Sequence, residues 1–141
     1  MTPAERRRVL RLTRLEKIRA IARQAAAREA AEAESTLAQL EALALRTGDL
    51  VSAYGVRSDT SDGAALHRLS AFREGLRGVS HSTHADAGRA RELADDKLAQ
   101  LAEAERRRQA VGNRLEREVR AQGQLTSETA TGRRSGNWHG S

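Results

Sequence analysis

The side chains that could carry chemistry in this chain are four histidines and several neighbouring carboxylates. His81 and His84 are three residues apart and share one face of a helix, with Asp86 close by, which is the minimal spacing for two metal ligands. A structural zinc site normally takes four ligands, and neither cysteine nor a further histidine converges on this pair. We therefore predict solvent-exposed helix residues here and no metal site.

The paired carboxylates have no pocket around them. Asp95 and Asp96 are adjacent, and Glu103 and Glu105 lie two apart, within a stretch that is helical by pattern. Without a concave site nothing shifts the pKa values of such groups towards catalysis. No glycine-rich phosphate loop followed by Lys-Ser/Thr is present, and the chain has no cysteine. We expect no enzymatic activity and no cofactor.

The composition is typical of long helices. Only 2% of the 141 residues are aromatic and 31% are charged, while Ala, Arg, Glu, Leu and Gln dominate. No run approaches the roughly 20 apolar residues of a membrane span, so we expect no membrane insertion. The basic N-terminal stretch continues into the following helical pattern and contains Glu5 and Glu16, which disfavours a targeting peptide.

Apolar residues at alternating spacings of three and four predict a first helix over about residues 5–54. These residues form a main stripe and a shorter stripe that precedes it. We predict a stutter where the two stripes join, which locally unwinds a left-handed supercoil. The shorter stripe is Leu12, Leu15, Ile18 and Ala22; the main stripe is Ala26, Ala30, Ala33, Leu37, Leu40, Ala44, Thr47, Val51 and Tyr54.

Turn-forming residues predict a loop at 55–63, and a second heptad pattern predicts a helix over about 64–121. Residues 123–141 lose this periodicity and predict a disordered tail. The second seam comprises Leu66, Leu69, Leu76, Thr83, Ala87, Ala90, Ala94, Leu101, Ala104, Val111 and Leu115, with Arg73, Ser80, Lys97 and Arg108 at intervening positions.

Two long helices of similar length with a short connection predict an all-α protein. We expect residues 1–122 to form one antiparallel coiled-coil hairpin, because short connections make neighbouring helices antiparallel. The alternative is a long parallel dimer with a flexible waist at the loop.

Positive charge is concentrated towards the two ends of the chain. Residues 1–28 carry a net +7 and residues 106–141 a net +5, whereas the intervening segments are acidic. A hairpin would bring these basic ends together, so that Ala4–Arg23 meets Ala104–Arg120; each stretch begins with the run AERRR, at Ala4–Arg8 and Ala104–Arg108. We expect this joint basic end to bind an acidic partner.

The sequence resembles the FliJ family of flagellar type III export proteins and their injectisome counterparts over residues 9–120. The resembling segments are RLTRLEKIRAIARQAAAREAAEAESTLAQLEAL, LHRLSAFREGL and KLAQLAEAERRRQAVGNRLERE. The most particular piece, Phe72-x3-Leu76-x2-Val79, resembles an apolar patch that the family carries near the turn. Arg46 and Leu50 stand where the family has aromatic residues opposite that patch.

The resemblance implies a cytoplasmic stalk, peripheral to the membrane, that couples a hexameric export ATPase to the membrane export gate and assists export chaperones. The patch of Phe72, Leu76 and Val79 would contact the gate. The basic end would enter the ATPase through Arg6, Arg7, Arg8, Arg11, Arg14, Arg106, Arg107 and Arg108.

Two alternatives stay open: a structural coiled-coil adaptor, and a coiled coil that binds nucleic acid non-specifically through phosphates. Nucleic acid is the less expected partner, since the basic end lacks aromatic residues for stacking on bases.

Overall fold

The chain is all-α and consists of two long helices. The computed structural model describes the backbone of residues 2–56 and 62–136, and the side chains of 2–55 and 62–132. Helix α1 spans Pro3–Val56 and helix α2 spans Gly63–Gly136. The described residues include no strand. The predicted pair of long helices packed against each other is confirmed.

Short polar side chains define the start of each helix. At α1, the hydroxyl of Thr2 accepts from the amide of Glu5 at 3.2 Å, and the Glu5 carboxylate accepts from the Thr2 amide at 2.9 Å. This reciprocal pair is a capping box, with Pro3 at the first helical position. At α2, the carboxylate of Asp62 accepts from the amide of Ala64 at 3.2 Å, as an N-cap does.

The helix boundaries differ modestly from those expected at the loop and strongly at the C-terminus. Helix α1 ends at Val56 rather than at about 54, and 57–61 of the expected loop lie outside the described residues. Helix α2 continues past 121 to Gly136, so residues 123–136 of the expected tail are helical. The tail's last residues, 137–141 with Trp138 and His139, also lie outside the described residues.

The two helices form two compact units, which we name by position along the chain. The central unit is Ala27–Ala99, and the terminal unit combines Met1–Ala26 with Gln100–Ser141. Each unit contains one segment of α1 and one of α2. In both units, ion pairs join residues early in the α1 segment to residues late in the α2 segment. The two segments are therefore antiparallel.

Small residues fill the interface between the helices in the central unit. Ala30 and Ala94 are the most buried, at 3% and 2% exposure. Thr47 and Thr83 are also buried, and their hydroxyls share a hydrogen bond of 3.1 Å across the interface. Ala33, Ala44 and Ala90 complete the buried set. These are the residues at which the sequence predicted the seam.

The interface of the terminal unit is more polar. Leu12 is its one buried hydrophobic residue among those described, and Gln122 is buried opposite the start of α1. The Gln122 side-chain amide donates to the backbone carbonyl of Glu5 at 3.2 Å. Half-buried Val9, Leu15, Leu101, Ala104, Val111 and Leu115 surround these positions.

The predicted stutter in α1 is wrong. Ile18 and Ala22 are exposed, and the half-buried positions are instead Glu16, Arg19 and Arg23. These three continue the three-and-four spacing of the Ala26 stripe back to Leu12 without a break. Long polar side chains can occupy a seam because their stems pack on apolar surface while their charged ends reach its edge.

A bulky substitution in the alanine seam tests how closely the helices approach in the central unit. Ala94→Leu should destabilise the fold by about 1–3 kcal/mol, because added methylenes in a tightly packed interface push its walls apart. The measurement is urea unfolding followed by circular dichroism. Ala99→Leu, on the exposed side of the same helix, is the control and should change stability by about 0.5 kcal/mol at most. Equal stability of both variants would contradict a close-packed seam.

Candidate partner-binding surfaces

The residues considered as metal ligands, His81, His84 and Asp86, all lie on helix α2. His81 and His84 are exposed, and a ring nitrogen of His84 contacts the backbone carbonyl of Ser80 at 2.8 Å. Asp86 pairs with Arg89 one turn later in α2. Within residues 2–56 and 62–136, no three His, Cys, Asp or Glu side chains are grouped so as to hold a metal ion.

The two basic stretches Ala4–Arg23 and Ala104–Arg120 lie side by side in the terminal unit, as the hairpin predicts, and their AERRR runs lie at opposite ends of this contact. Arg8 forms an ion pair with Glu118 at 3.3 Å, and Arg23 pairs with Glu105. These contacts set the antiparallel register, in which Arg8 lies level with Glu118 and not with Arg108. The offset is about 10 residues of α2, or roughly 15 Å along the helix at 1.5 Å per residue.

Acidic residues on the same helix partly neutralise the second arginine run. Arg106 and Arg107 both pair with Glu103, at 2.5 and 3.2 Å, and Arg108 lies 3.9 Å from Glu105. The hydrogen bond and the charge of Arg106 hold the pKa of Glu103 below its ordinary value of 4.5. The positive field available to a partner at Arg106–Arg108 is therefore weaker than three arginines suggest.

Arg11 and Arg14, which follow the first arginine run, are less compensated by acidic residues. No described carboxylate lies within 4.0 Å of Arg11 or Arg14, while Arg7 donates to the backbone carbonyl of Pro3. A shallow cleft of about 400 Å³ lies beside the run. Its lining residues are Arg8, Arg11, Leu12, Arg114 and Glu118.

Charge separates clearly between the two units. The sequence gives the terminal unit 16 basic and 7 acidic residues, a net +9, and gives the central unit a net −3. All eight arginines expected to bind a partner belong to the terminal unit. The separation is a property of whole units and does not depend on the two AERRR runs being adjacent.

The apolar patch expected at Phe72, Leu76 and Val79 lies on α2 in the central unit. Phe72 and Val79 are about half exposed, whereas Leu76 is half-buried at the seam. The ring of Tyr54 meets that of Phe72 edge-on, with centroids 4.9 Å apart. The aromatic residue opposite the patch is therefore Tyr54, which the sequence assigned only to the seam.

Arg73, one of the charged seam positions, has a specific role at the end of α1. Its guanidinium donates to the backbone carbonyl of Tyr54. Carbonyl groups in the last turn of a helix have no partner within the helix, so this contact satisfies one of them. Arg73 thus links α2 to the end of α1 beside the aromatic pair. A cationic seam residue near a predicted helix end is the sequence signal for such a contact.

Comparison of the chain with protein-family models, with curated proteins and with solved structures gives no match. No helix in the described parts of the chain is long and apolar enough to cross a membrane.

The lowered pKa of Glu103 can be measured directly. Arg106→Ala should raise the pKa towards 4.5, because the arginine supplies the main hydrogen bond and charge that stabilise the carboxylate. Carboxyl NMR titration measures the value. Since the folded pKa is the lower one, the pair stabilises the fold above pH 4.5, and this contribution is lost as pH falls through the folded pKa.

Arg120→Ala is the matched control, because Arg120 pairs with Glu116 on the same helix at 3.0 Å. It should leave the Glu103 titration unchanged. An identical Glu103 pKa in the Arg106→Ala variant and the unaltered protein would show that the ion pair does not persist in solution.

Proposed function

We propose that this chain is a non-enzymatic stalk of a flagellar or injectisome type III export apparatus. It acts in the cytoplasm, at the membrane-associated export machinery, and couples the export ATPase to the export gate. The observation that carries the proposal is the division between a strongly basic terminal unit and a central unit that exposes an aromatic patch. This division gives one chain two binding surfaces of different chemistry.

The terminal unit supports the ATPase part of the proposal. A net charge of +9 attracts acidic protein surfaces and speeds encounter with them. No described carboxylate lies within 4.0 Å of Arg7, Arg11 or Arg14, so they are proposed to contribute more than Arg106–Arg108. Because the two AERRR runs lie at different levels of the terminal unit, the proposed ATPase contacts are spread along it.

The central unit supports the gate part. Phe72 and Val79 present about half of their surface to solvent, and Tyr54 holds the Phe72 ring from the opposite helix. Aromatic side chains with a fixed orientation are favoured at binding hot spots because they bury a large area at low entropic cost. Export chaperones are a further proposed partner, with no residue assigned to them.

The ATPase contact is tested by reversing the charge of Arg11 and Arg14, which have no described carboxylate within 4.0 Å. Arg11→Glu/Arg14→Glu should weaken binding to the export ATPase at least tenfold and reduce its stimulation, because attraction becomes repulsion at two positions. Arg28→Glu/Arg46→Glu, exposed arginines of the central unit, is the control with the same charge change. Arg106→Glu/Arg107→Glu/Arg108→Glu should have a smaller effect per residue. Unchanged ATPase binding in the first variant would refute this part of the proposal.

The gate contact is tested by truncating two exposed side chains of the patch. Phe72→Ala/Val79→Ala should lower binding to the cytoplasmic domain of the export gate protein by tenfold or more, as loss of an aromatic anchor does. The control is Leu93→Ala, because Leu93 is exposed to the same extent as Val79 on the same helix, at 51%. Thermal unfolding of each variant confirms that the fold persists. A gate affinity lowered equally by all variants would argue for a structural adaptor without an export role.

A further inference from the structure

Three large aliphatic side chains of the terminal unit point away from the helix interface. Leu10, Ile18 and Ile21 are 50%, 60% and 67% exposed. Leu12, Glu16 and Arg19, on the opposite side of the same helical turns, face α2. Helix α1 therefore carries two faces in this unit: an inner face that packs on α2 and an outer face without a partner in the structure.

The outer face has a regular spacing of its own. Leu10, Arg14, Ile18, Ile21 and Ala25 are separated by four, four, three and four residues, and all five are exposed. Such spacing aligns side chains in a narrow stripe along a helix. Helices that dock on other helices use anchors at this spacing. The stripe indicates that the occupant of this face is itself a helix.

Positive charge borders the stripe. Arg7, Arg11 and Lys17 flank it, and Arg14 lies within it. The two carboxylates of α1 in this unit, Glu5 and Glu16, are half-buried on the inner side. The outer face thus has no acidic side chain of its own, and no described carboxylate lies within 4.0 Å of Arg11, Arg14 or Lys17. A complementary surface needs acidic residues on either side of an apolar stripe.

We propose that the outer face of α1, defined by Leu10, Arg14, Ile18, Ile21 and Ala25, docks an acidic amphipathic helix of a partner protein. The partner helix places its aliphatic residues against Ile18 and Ile21. Its flanking carboxylates lie against the arginines and Lys17. In this unit the partner helix becomes the third helix, opposite α2.

Two other occupants fit the face less well. A bilayer surface favours an uninterrupted apolar face bordered by aromatic residues, but Arg14 divides this stripe and residues 1–53 include no Phe, Trp or Tyr. A second copy of the chain brings a terminal unit of net +9 and a total charge of +6, which repel an identical molecule.

This inference does not rest on an export role. The ATPase test depends on arginines, whereas docking of a helix on the outer face depends on Ile18 and Ile21. If the chain bound acidic helices through these isoleucines but did not stimulate an ATPase, this inference would stand and the proposed function would be refuted.

Two designed peptides test the outer face. Each has three heptads, about 21 residues, with isoleucine and leucine at the a and d positions. Glutamate occupies the flanking positions of one peptide and lysine those of the other. Titration of the full chain by calorimetry should show binding of the acidic peptide only, weakened at least tenfold by raising the salt concentration.

Substitution then locates the contact. Ile21→Glu should weaken binding of the acidic peptide at least tenfold by placing a carboxylate in the stripe. Leu45→Glu is the matched control, since Leu45 is 68% exposed on α1 in the central unit. The Leu45→Glu variant should bind the acidic peptide as tightly as the unaltered chain does. Circular dichroism confirms equal helicity of the two variants.

Each other outcome overturns the proposal. Equal binding of both peptides would show that charge plays no part. Undiminished binding by the Ile21→Glu variant would place the peptide elsewhere, including on the inner seam in exchange for α2. Binding of anionic phosphatidylglycerol vesicles, but not of the acidic peptide, would make a lipid surface the occupant. Self-association that depends on Ile21 and excludes the peptide would make a second copy of the chain the occupant of the outer face.

Discussion

Two helices can approach closely only where the side chains between them are small, and this constraint determines most of the structure. In the central unit the buried interface residues are alanines and a pair of threonines. Its most buried positions hold no large side chain, and Leu37, Leu40 and Leu76 are only half-buried at the seam. Leu45, Phe72 and Val79 therefore remain at its flanks or on its outer side. The exposed apolar surface is a consequence of how the helices pack, and it is also what the chain offers to partners.

The antiparallel register then decides which charges meet. Arg8 lies against Glu118 and Arg23 against Glu105. Each of these pairs contributes about 0.2–1 kcal/mol, because both remain partly exposed to solvent. Their greater effect is on the surface: the acids of α2 neutralise part of the basic seam, while Arg11 and Arg14 keep their charge available. The terminal unit therefore exposes positive charge, and among the described residues its interface buries fewer apolar side chains than that of the central unit.

The fold could be predicted because alternating spacings of three and four leave few ways to bury a stripe, and the small residues from Ala26 onward mark the seam directly. The same reasoning failed for Ile18 and Ala22, where hydrophobicity favoured a stutter. The uninterrupted register instead turned Glu16, Arg19 and Arg23 inward. For the arginine runs, the charge pattern predicted that the two basic stretches meet but did not give the level of each run along the helices. The contacts of Tyr54 and the helix end at Gly136 depend on tertiary packing and on weak local propensities.

The register of the helices in the terminal unit is the claim on which the two surfaces proposed there depend, namely the ATPase-binding arginines and the outer face of α1. Because the chain has no cysteine, spin labels can be attached at pairs of introduced cysteines. Electron spin resonance should give a short distance for Arg8→Cys/Glu118→Cys. For Arg8→Cys/Arg107→Cys the labels should be offset by about 17 Å along the helix axis. Neither distance should change on dilution with unlabelled chain. A shorter distance for the second pair, or a signal lost on dilution, would contradict the antiparallel register described here.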